Sequence, residues 1–131
     1  MRLAGTSTTT AANDRSLTGT VLLVEDEPAI RQLIATVLEQ EGYRVIQARN
    51  GVEACTLFNA DVDVLLTDIR LPYMDGCVLI QELRRRRQTL PVLAISAYAL
   101  SAPTDPDVAF LPKPFTHEEL LKALRATMPR G

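Results

Sequence analysis

Short apolar runs alternate along the chain with apolar positions at helical spacing. Residues 21–24 form a continuous apolar run, which is typical of a strand buried on both faces of a parallel sheet. Pro28 then suits the first position of a helix, and Gly42 marks its end. The apolar residues between them predict one buried helical stripe, formed by Ile30, Leu33, Ile34, Val37 and Leu38.

The same alternation continues to the end of the chain. Further strands are predicted over 45–48, 62–67, 92–95 and, more weakly, 108–111. Three more helices are predicted: one capped by Asn50, one over 76–87, and one from Thr116, where Glu119 completes a capping box. The side chains expected to face the core are Val52, Ala54, Leu57 and Phe58 in the first, Val78, Leu79, Ile80 and Leu83 in the second, and Leu120, Leu121 and Leu124 in the third.

Five strands that alternate with at least four helices predict a doubly wound α/β fold. Right-handed crossovers would place helices on both faces of a parallel sheet. Ligands of such sheets bind beyond the carboxyl ends of the strands. The residues that end the strands are therefore the candidates for chemistry.

Composition narrows the class of protein. The chain has 131 residues, of which 47% are apolar and 23% charged, as expected for one globular domain with a sizeable core. A formal charge of -2 argues against a basic nucleic-acid-binding module, and no apolar run is long enough to span a membrane. Cys55 and Cys77 match no metal spacing or disulfide framework, so we expect them to pack as small apolar groups in a reducing cytoplasm.

Residues 1–19 differ from the rest of the chain. They are rich in Thr, Ser and Ala and contain no continuous apolar stretch of the kind that a secretory signal needs. We interpret them as a flexible tail before a domain over 20–131; the alternative is a partner-binding arm, for which the sequence offers no motif.

Polar residues of complementary chemistry end four of the strands. Glu25, Asp26 and Glu27 follow the first strand, Asp68 the third, Ser96 the fourth, and Lys113, between two prolines, the fifth. Clustered carboxylates repel, and a hard cation with oxygen ligands such as Mg²⁺ resolves the conflict. A carboxylate beside Mg²⁺ can attack phosphorus to give an aspartyl phosphate, while an ammonium neutralises the phosphoryl oxygens.

The stretches VLLVEDEP, LLTDIRLPYMDG, VLAISAYA and FLPKPF carry a family resemblance. In this order and spacing they resemble the receiver domain of two-component response regulators, over about 20–128. The resemblance implies a flavodoxin-like sheet of order 2-1-3-4-5. It also implies that Asp68 is the phosphoacceptor and Mg²⁺ the cofactor. The metal ligands would be Asp26 directly, Glu25 often through water, Asp68, and the backbone carbonyl of Arg70.

The same resemblance gives roles to the remaining strand-end residues. Ser96 is similar to the switch hydroxyl, Lys113 to the lysine that contacts the phosphoryl group, and Phe110 to the aromatic switch position. Arg70 and Tyr98 fall at two positions that tune the lifetime of the phosphoryl group in the family. A cis peptide bond between Lys113 and Pro114 is expected as well.

The segment between Ser96 and Lys113 departs from the family pattern. Pro103 and Pro106 disfavour a regular helix across its middle, so the fourth helix is predicted to be short, irregular or missing. A dimer through the fourth-helix face is therefore doubtful. The form SAYA…FLPKPF is more similar to receivers of hybrid sensor histidine kinases than to receivers fused to DNA-binding domains.

Two other features are predicted to be ordinary surface. His117, the only histidine, lies in the first turn of the last helix, and we expect no role for it in phosphoryl transfer. The run from Arg84 to Arg87 resembles a nucleic-acid patch, but its place at a helix C-terminus favours a solvated end.

The resulting hypothesis is a single-domain phosphoacceptor and not a turnover enzyme. It would take a phosphoryl group from a phosphohistidine of a sensor histidine kinase or histidine phosphotransfer protein, docked near the first helix and the loop after Lys113. Since the sequence ends at Gly131, no output domain is expected. One alternative is an interaction module that never uses phosphorylation. The other is a haloacid dehalogenase-type phosphatase, whose nucleophile would follow the first strand and not, as here, the third.

Overall fold

The computed structural model describes residues 19–97 and 106–128 and contains one five-stranded parallel sheet. The strands lie in the order β2-β1-β3-β4-β5, which confirms the predicted doubly wound, flavodoxin-like topology. Every predicted strand is present, and each boundary lies within two residues of its prediction. The strands are β1 (Thr20–Val24), β2 (Arg44–Ala48), β3 (Val64–Asp68), β4 (Val92–Ser96) and β5 (Ala109–Pro112).

Four helices in the described ranges cover the two faces of the sheet. They are α1 (Pro28–Gln40), α2 (Gly51–Leu57), α3 (Gly76–Arg86) and α4 (His117–Thr127). α2 and α3 contribute to one hydrophobic cluster, and α1 and α4 contribute to the other, on the opposite face. Alternate residues of the central strands point into the two clusters, so β1, β3 and β4 are fully buried.

Local capping chemistry sets the helix ends as predicted. The Asn50 side chain accepts a hydrogen bond from the Glu53 N–H at 2.8 Å and caps α2. Thr116 and Glu119 form a reciprocal capping box at the start of α4, with bonds of 3.0 and 2.8 Å. After α1, Gly42 takes a φ of 98°, a conformation that residues with a Cβ adopt at a cost.

Part of the predicted core is exposed. Ile30 is 39%, Leu33 55% and Val78 50% exposed, and Val52 is similar. α1 packs on the sheet through Ile34 and the residues after it, whereas its first turns lie beside the loop that leads into α4. A periodic apolar stripe predicts the face of a helix, but it does not show how far the neighbouring element extends along it.

Some predictions lie outside the described residues. Residues 1–18, predicted as a tail, and residues 98–105, which include Tyr98 and most of the segment predicted to lack a regular fourth helix, are not described. Within the described ranges, Pro106 and Asp107 form a turn that leads into β5. No helix of the described residues combines the length and apolar character needed to cross a bilayer.

The arginines that end α3 lie at a helix C-terminus, as predicted, with Arg85 and Arg86 exposed, but three of the four also bond main-chain carbonyl oxygens. Arg84 donates to the carbonyl oxygens of Leu90, at 3.0 and 3.1 Å, and Asp107, at 3.1 Å. Arg86 donates to the Cys55 carbonyl at 2.8 Å. Arg87 donates to two carbonyls before β3, those of Asn59 and Val62, and lies over the Phe58 ring. These guanidinium groups fasten α3 to segments before β3, β4 and β5, because each offers several donors in a planar fork.

Residues at the two ends of the described domain lie side by side. A Cβ atom added to Gly19 would lie 2.8 Å from the Met128 methyl carbon. Gly19 precedes β1 and Met128 follows α4. Both therefore lie at the edge of the sheet where the parallel strands begin.

Tyr43 gives a prediction for the core. Its side chain is buried, and its hydroxyl finds no hydrogen-bond partner among the described residues. Burial raises the pKa of Tyr43. The positive charge of Arg125 opposes this shift, and the negative charge of Glu41 adds to it. We expect Tyr43→Phe to retain the ring packing and to raise the free energy of unfolding by up to about 1 kcal/mol, because it removes an unpaired buried polar group. Urea unfolding measures this, with the exposed Tyr73→Phe as a neutral control. A loss of stability specific to Tyr43→Phe would contradict the prediction.

Candidate functional site

The register of the sheet brings the predicted strand-end residues to one edge. Asp68 pairs with Ile95, and Ser96 pairs with Pro112, so the ends of β3, β4 and β5 are aligned. β1 ends at Val24, opposite Thr67, and Glu25 follows it. Parallel strands point their carboxyl ends the same way, and this is why side chains so distant in sequence meet.

Three carboxylates converge at this edge. One oxygen from each of Glu25, Asp26 and Asp68 lies within 4.8 Å of the other two. Glu25 and Asp68 are buried, whereas Asp26 is exposed. Oxygen ligands at this spacing, with one side open to solvent, suit a hard divalent cation that retains several waters, as Mg²⁺ does. The residue set therefore fits the metal that the sequence predicts.

Lys113 lies against two of the carboxylates. Its Nζ is 2.8 Å from Asp68 Oδ2 and 3.4 Å from Glu25 Oε1. Burial tends to lower the pKa of Lys113, but the hydrogen bonds and negative charges of Asp68 and Glu25 outweigh it, so the pKa is raised. The ammonium therefore stays charged and offsets part of the repulsion. The peptide bond between Lys113 and Pro114 is cis, as the resemblance implied.

Main-chain groups orient the buried carboxylates. The Arg70 N–H donates to Asp68 Oδ1 at 3.0 Å, and the Glu27 N–H donates to Glu25 Oε2 at 3.0 Å. The Asp68 carboxylate therefore receives a main-chain donor on one oxygen and the ammonium of Lys113 on the other. Each oxygen accepts a hydrogen bond, one from a neutral N–H and one from an ammonium, which fixes the orientation of the group.

The turn after β3 depends on a close backbone approach. The Gly76 N–H donates to the Ile69 carbonyl at 2.8 Å, and this brings the start of α3 against the end of β3. A Cβ on Gly76 would overlap the Asp68 carbonyl oxygen and lie 2.7 Å from Ile69 Cα. The glycine in the LLTDIRLPYMDG stretch is therefore required by packing against the backbone of Asp68.

The other predicted site residues lie close by. Ser96 is fully buried, and its carbonyl accepts the Lys113 N–H at 2.9 Å. Phe110, half-buried in β5, packs against the cluster shared by α2 and α3. The exposed Arg70 lines the same depression as the carboxylates and Lys113. Their roles in phosphoryl transfer and switching remain predictions.

Residues outside the quoted stretches also contribute. Arg31 of α1 donates to the Glu25 carbonyl oxygen at 2.9 Å and to Gln47 Oε1 of β2 at 3.3 Å. Sequence reasoning missed this contact because its acceptor at Glu25 is a main-chain atom, which every residue possesses.

His117, predicted to be ordinary surface, lines an apolar groove with Ile30, Leu33 and Phe115. Cys55 and Cys77 are free and half-buried against the core, as predicted.

Glu25 gives a pH-dependent prediction. Burial raises its pKa; the Glu27 N–H and Lys113 oppose the shift, and Asp68 reinforces it. An acid with a raised folded-state pKa contributes stability below its unfolded-state pKa and loses that contribution as pH rises through the folded-state pKa. At neutral pH the charged carboxylate thus destabilises the fold, and we expect Glu25→Gln to raise the free energy of unfolding by about 1 kcal/mol.

Urea unfolding with EDTA at neutral and acidic pH measures this gain, which should shrink as pH falls below the ordinary glutamate pKa. Asp26→Asn is the matched control, because Asp26 belongs to the same cluster but is exposed. A gain for Glu25→Gln that is independent of pH would contradict the electrostatic cause.

Comparisons with known proteins agree with this fold. The family model of the response regulator receiver domain matches residues 21–125. The chain is 36% identical over 127 residues to the sensor kinase CckA of Brucella abortus, covering 91% of this chain and 13% of that protein. It is 34% identical over 119 residues to the transcriptional regulatory protein CpxR of Klebsiella pneumoniae, covering 85% of this chain and 50% of that protein.

Solved structures show the same architecture. The receiver domain of the hybrid histidine kinase CckA superposes with a TM-score of 0.75 at 33% identity, covering 85% of this chain and all of that one. The response regulator TrrA of Thermotoga maritima, in complex with Mg²⁺–BeF, gives 0.75 at 28% identity, covering 84% of this chain and 99% of that one.

The chain therefore belongs to the response regulator receiver domain family of two-component systems. It spans half or less of the curated relatives above, whose other parts have no counterpart in the match.

Proposed function

We propose that this domain accepts a phosphoryl group on the Asp68 carboxylate from a phosphohistidine, with Mg²⁺ as cofactor. The observation that carries the proposal is the buried Asp68 carboxylate, which lies between two further carboxylates and the Lys113 ammonium. A carboxylate oxygen attacks phosphorus, the P–N bond to the donor imidazole breaks, and a P–O bond to Asp68 forms. The domain assists its own phosphorylation and dephosphorylation without being a turnover enzyme.

The proposed metal site uses Glu25, Asp26, Asp68 and the Arg70 carbonyl. Bound Mg²⁺ would supply charge neutralisation for the phosphoryl oxygens. The carboxylate oxygens support this assignment by their spacing, and a structural relative that holds Mg²⁺–BeF supports it by analogy. Lys113 supplies a second positive charge from the protein itself.

Ser96 and Phe110 are the proposed switch. The buried Ser96 ends β4 beside the site and would donate its hydroxyl to the attached phosphoryl group. Phe110 lies in the adjoining strand β5, opposite Ala94, and its side chain would move when Ser96 bonds the phosphoryl group. The result would be a changed surface for a downstream protein.

The proposed partner is a sensor histidine kinase or a histidine phosphotransfer protein. An apolar groove of about 260 Å³ runs between α1 and the start of α4 and exposes Ile30 and Leu33. Ile30 and Lys113 line both this groove and the acidic depression. A partner seated in the groove would therefore place a phosphohistidine beside Asp68. The free cysteines support a reducing, cytoplasmic compartment.

The test is the intact mass of the protein after incubation with Mg²⁺ and either acetyl phosphate or phosphoramidate, a donor with a P–N bond. We expect the wild type to gain one phosphoryl group and Asp68→Asn to gain none. Asp75→Asn is the matched control: Asp75 caps α3 outside the site, and asparagine caps as well as aspartate. No gain from either donor, together with no Mg²⁺ binding, would favour an interaction module that works by contacts alone.

A further inference from the structure

Arg31 connects α1 to β2 and to the residue that follows β1, beside the acidic edge of the sheet. It lies in the first half of α1 and is half-buried. Its Nη1 donates to the Glu25 carbonyl oxygen at 2.9 Å, and its Nε donates to Gln47 Oε1 at 3.3 Å. Gln47 belongs to β2, the neighbour of β1, and Glu25 directly follows β1. One guanidinium group therefore joins α1, β2 and the residue that precedes Asp26.

The contact fixes the peptide between Glu25 and Asp26. The Glu25 N–H donates to the Ala48 carbonyl at 3.1 Å, and the Glu25 carbonyl accepts from Arg31, so both main-chain groups of Glu25 are bonded. A peptide unit is planar, so the direction of the Glu25 carbonyl also sets the direction of the Asp26 N–H and Cα. The position of the exposed Asp26 carboxylate therefore depends on the hydrogen bond that the Glu25 carbonyl accepts from Arg31.

We propose that Arg31 is a positioning residue for the cation site, which acts through the Glu25–Asp26 peptide and not through contact with the ion. This inference rests on the proposed function only in taking Mg²⁺ as the cation. The orienting bond and the positive charge of Arg31 predict opposite effects of its removal on Mg²⁺ affinity. The positive charge of Arg31 by itself repels a second cation, so its removal would strengthen Mg²⁺ binding if charge were the whole contribution. Loss of the orienting bond would weaken binding.

The experiment is a Mg²⁺ titration of the full chain followed by ¹⁵N–¹H NMR, with the amides of Glu27 and Arg70 as reporters beside the site. We expect Arg31→Gln to raise the Kd for Mg²⁺ by about 10-fold or more, the range found for residues that orient metal ligands. Arg49→Gln is the matched control: Arg49 directly follows β2 at the same edge and pairs with Glu53 at 3.2 Å outside the site. It loses the same charge but no bond to the acidic turn.

Arg31→Lys is the second variant, because it retains the charge but not the planar fork that reaches both acceptors. We expect its Kd to lie between those of the wild type and Arg31→Gln, and it also serves if Arg31→Gln fails to fold. A Kd for Arg31→Gln equal to or lower than that of Arg49→Gln would overturn the inference, as would wild-type affinity in Arg31→Lys. If the wild type bound no Mg²⁺, the proposed function would fall together with the inference.

Discussion

Replacing Lys113 with methionine is expected to slow phosphorylation by acetyl phosphate by about 100-fold or more, the usual cost of losing one preorganised positive or hydrogen-bonding group at a reacting centre. Lys113 is the ammonium that contacts both Asp68 and Glu25. When a phosphoryl group joins Asp68, the same ammonium is in place to pair with the added negative charge. The rate is measured by intact mass against time at saturating Mg²⁺.

The control for this prediction is Lys122→Met. Lys113 and Lys122 are the two lysines of the sequence, and Lys122 is exposed on α4. Both variants lose one positive charge, but only Lys113→Met changes the site. Affinity for Mg²⁺ should not fall in Lys113→Met, because removal of a cation from an acidic cluster favours a second cation. Equal phosphorylation rates in the two variants would contradict the role given to Lys113.

Substituting Gly76 with alanine is expected to destabilise the fold by roughly 1–3 kcal/mol, the usual cost of forcing an extra carbon into a packed region. The added Cβ would meet the backbone of Asp68 and Ile69, which cannot rotate away. The end of β3 would have to shift, so Mg²⁺ binding should weaken as well. Urea unfolding and a Mg²⁺ titration measure the two effects.

Gly51→Ala is the matched control, since Gly51 and Gly76 are each the first residue of a helix. A Cβ on Gly51 would lie 2.9 Å from Met74 Sδ, in a flexible side chain that can move. Both variants gain the same helix propensity. A loss of stability in Gly51→Ala as large as that in Gly76→Ala would contradict the backbone-clash explanation.

The sequence was sufficient to predict the sheet and the placement of the strand-end residues. Consecutive apolar residues give strands that are buried on both faces, and parallel strands must bring their carboxyl ends together. Once the order of strands was given, Asp68 and Lys113 had to lie at one edge, and the structure places them 2.8 Å apart. The helix caps at Asn50 and Thr116 followed from local chemistry alone.

The sequence could not predict contacts whose acceptors are main-chain carbonyls. Arg31, Arg84 and Arg87 each bond carbonyl oxygens of residues in connecting segments. Carbonyls carry no sequence signal, so the sequence indicated none of these contacts. The exposure of Leu33 was missed for another reason. Helical periodicity identifies an apolar face, whereas burial depends on where the neighbouring element ends.

The contact between Gly19 and Met128 bears on how such a domain can be combined with others. Because Gly19 and Met128 lie side by side, the domain could be inserted at a single point in a host chain. It would then add little distance between the host segments on either side. That junction lies at the edge of the sheet opposite the carboxylates, so a neighbouring domain attached there would leave Asp68 accessible. The same geometry makes a circularly permuted chain feasible, with a short linker joining these ends.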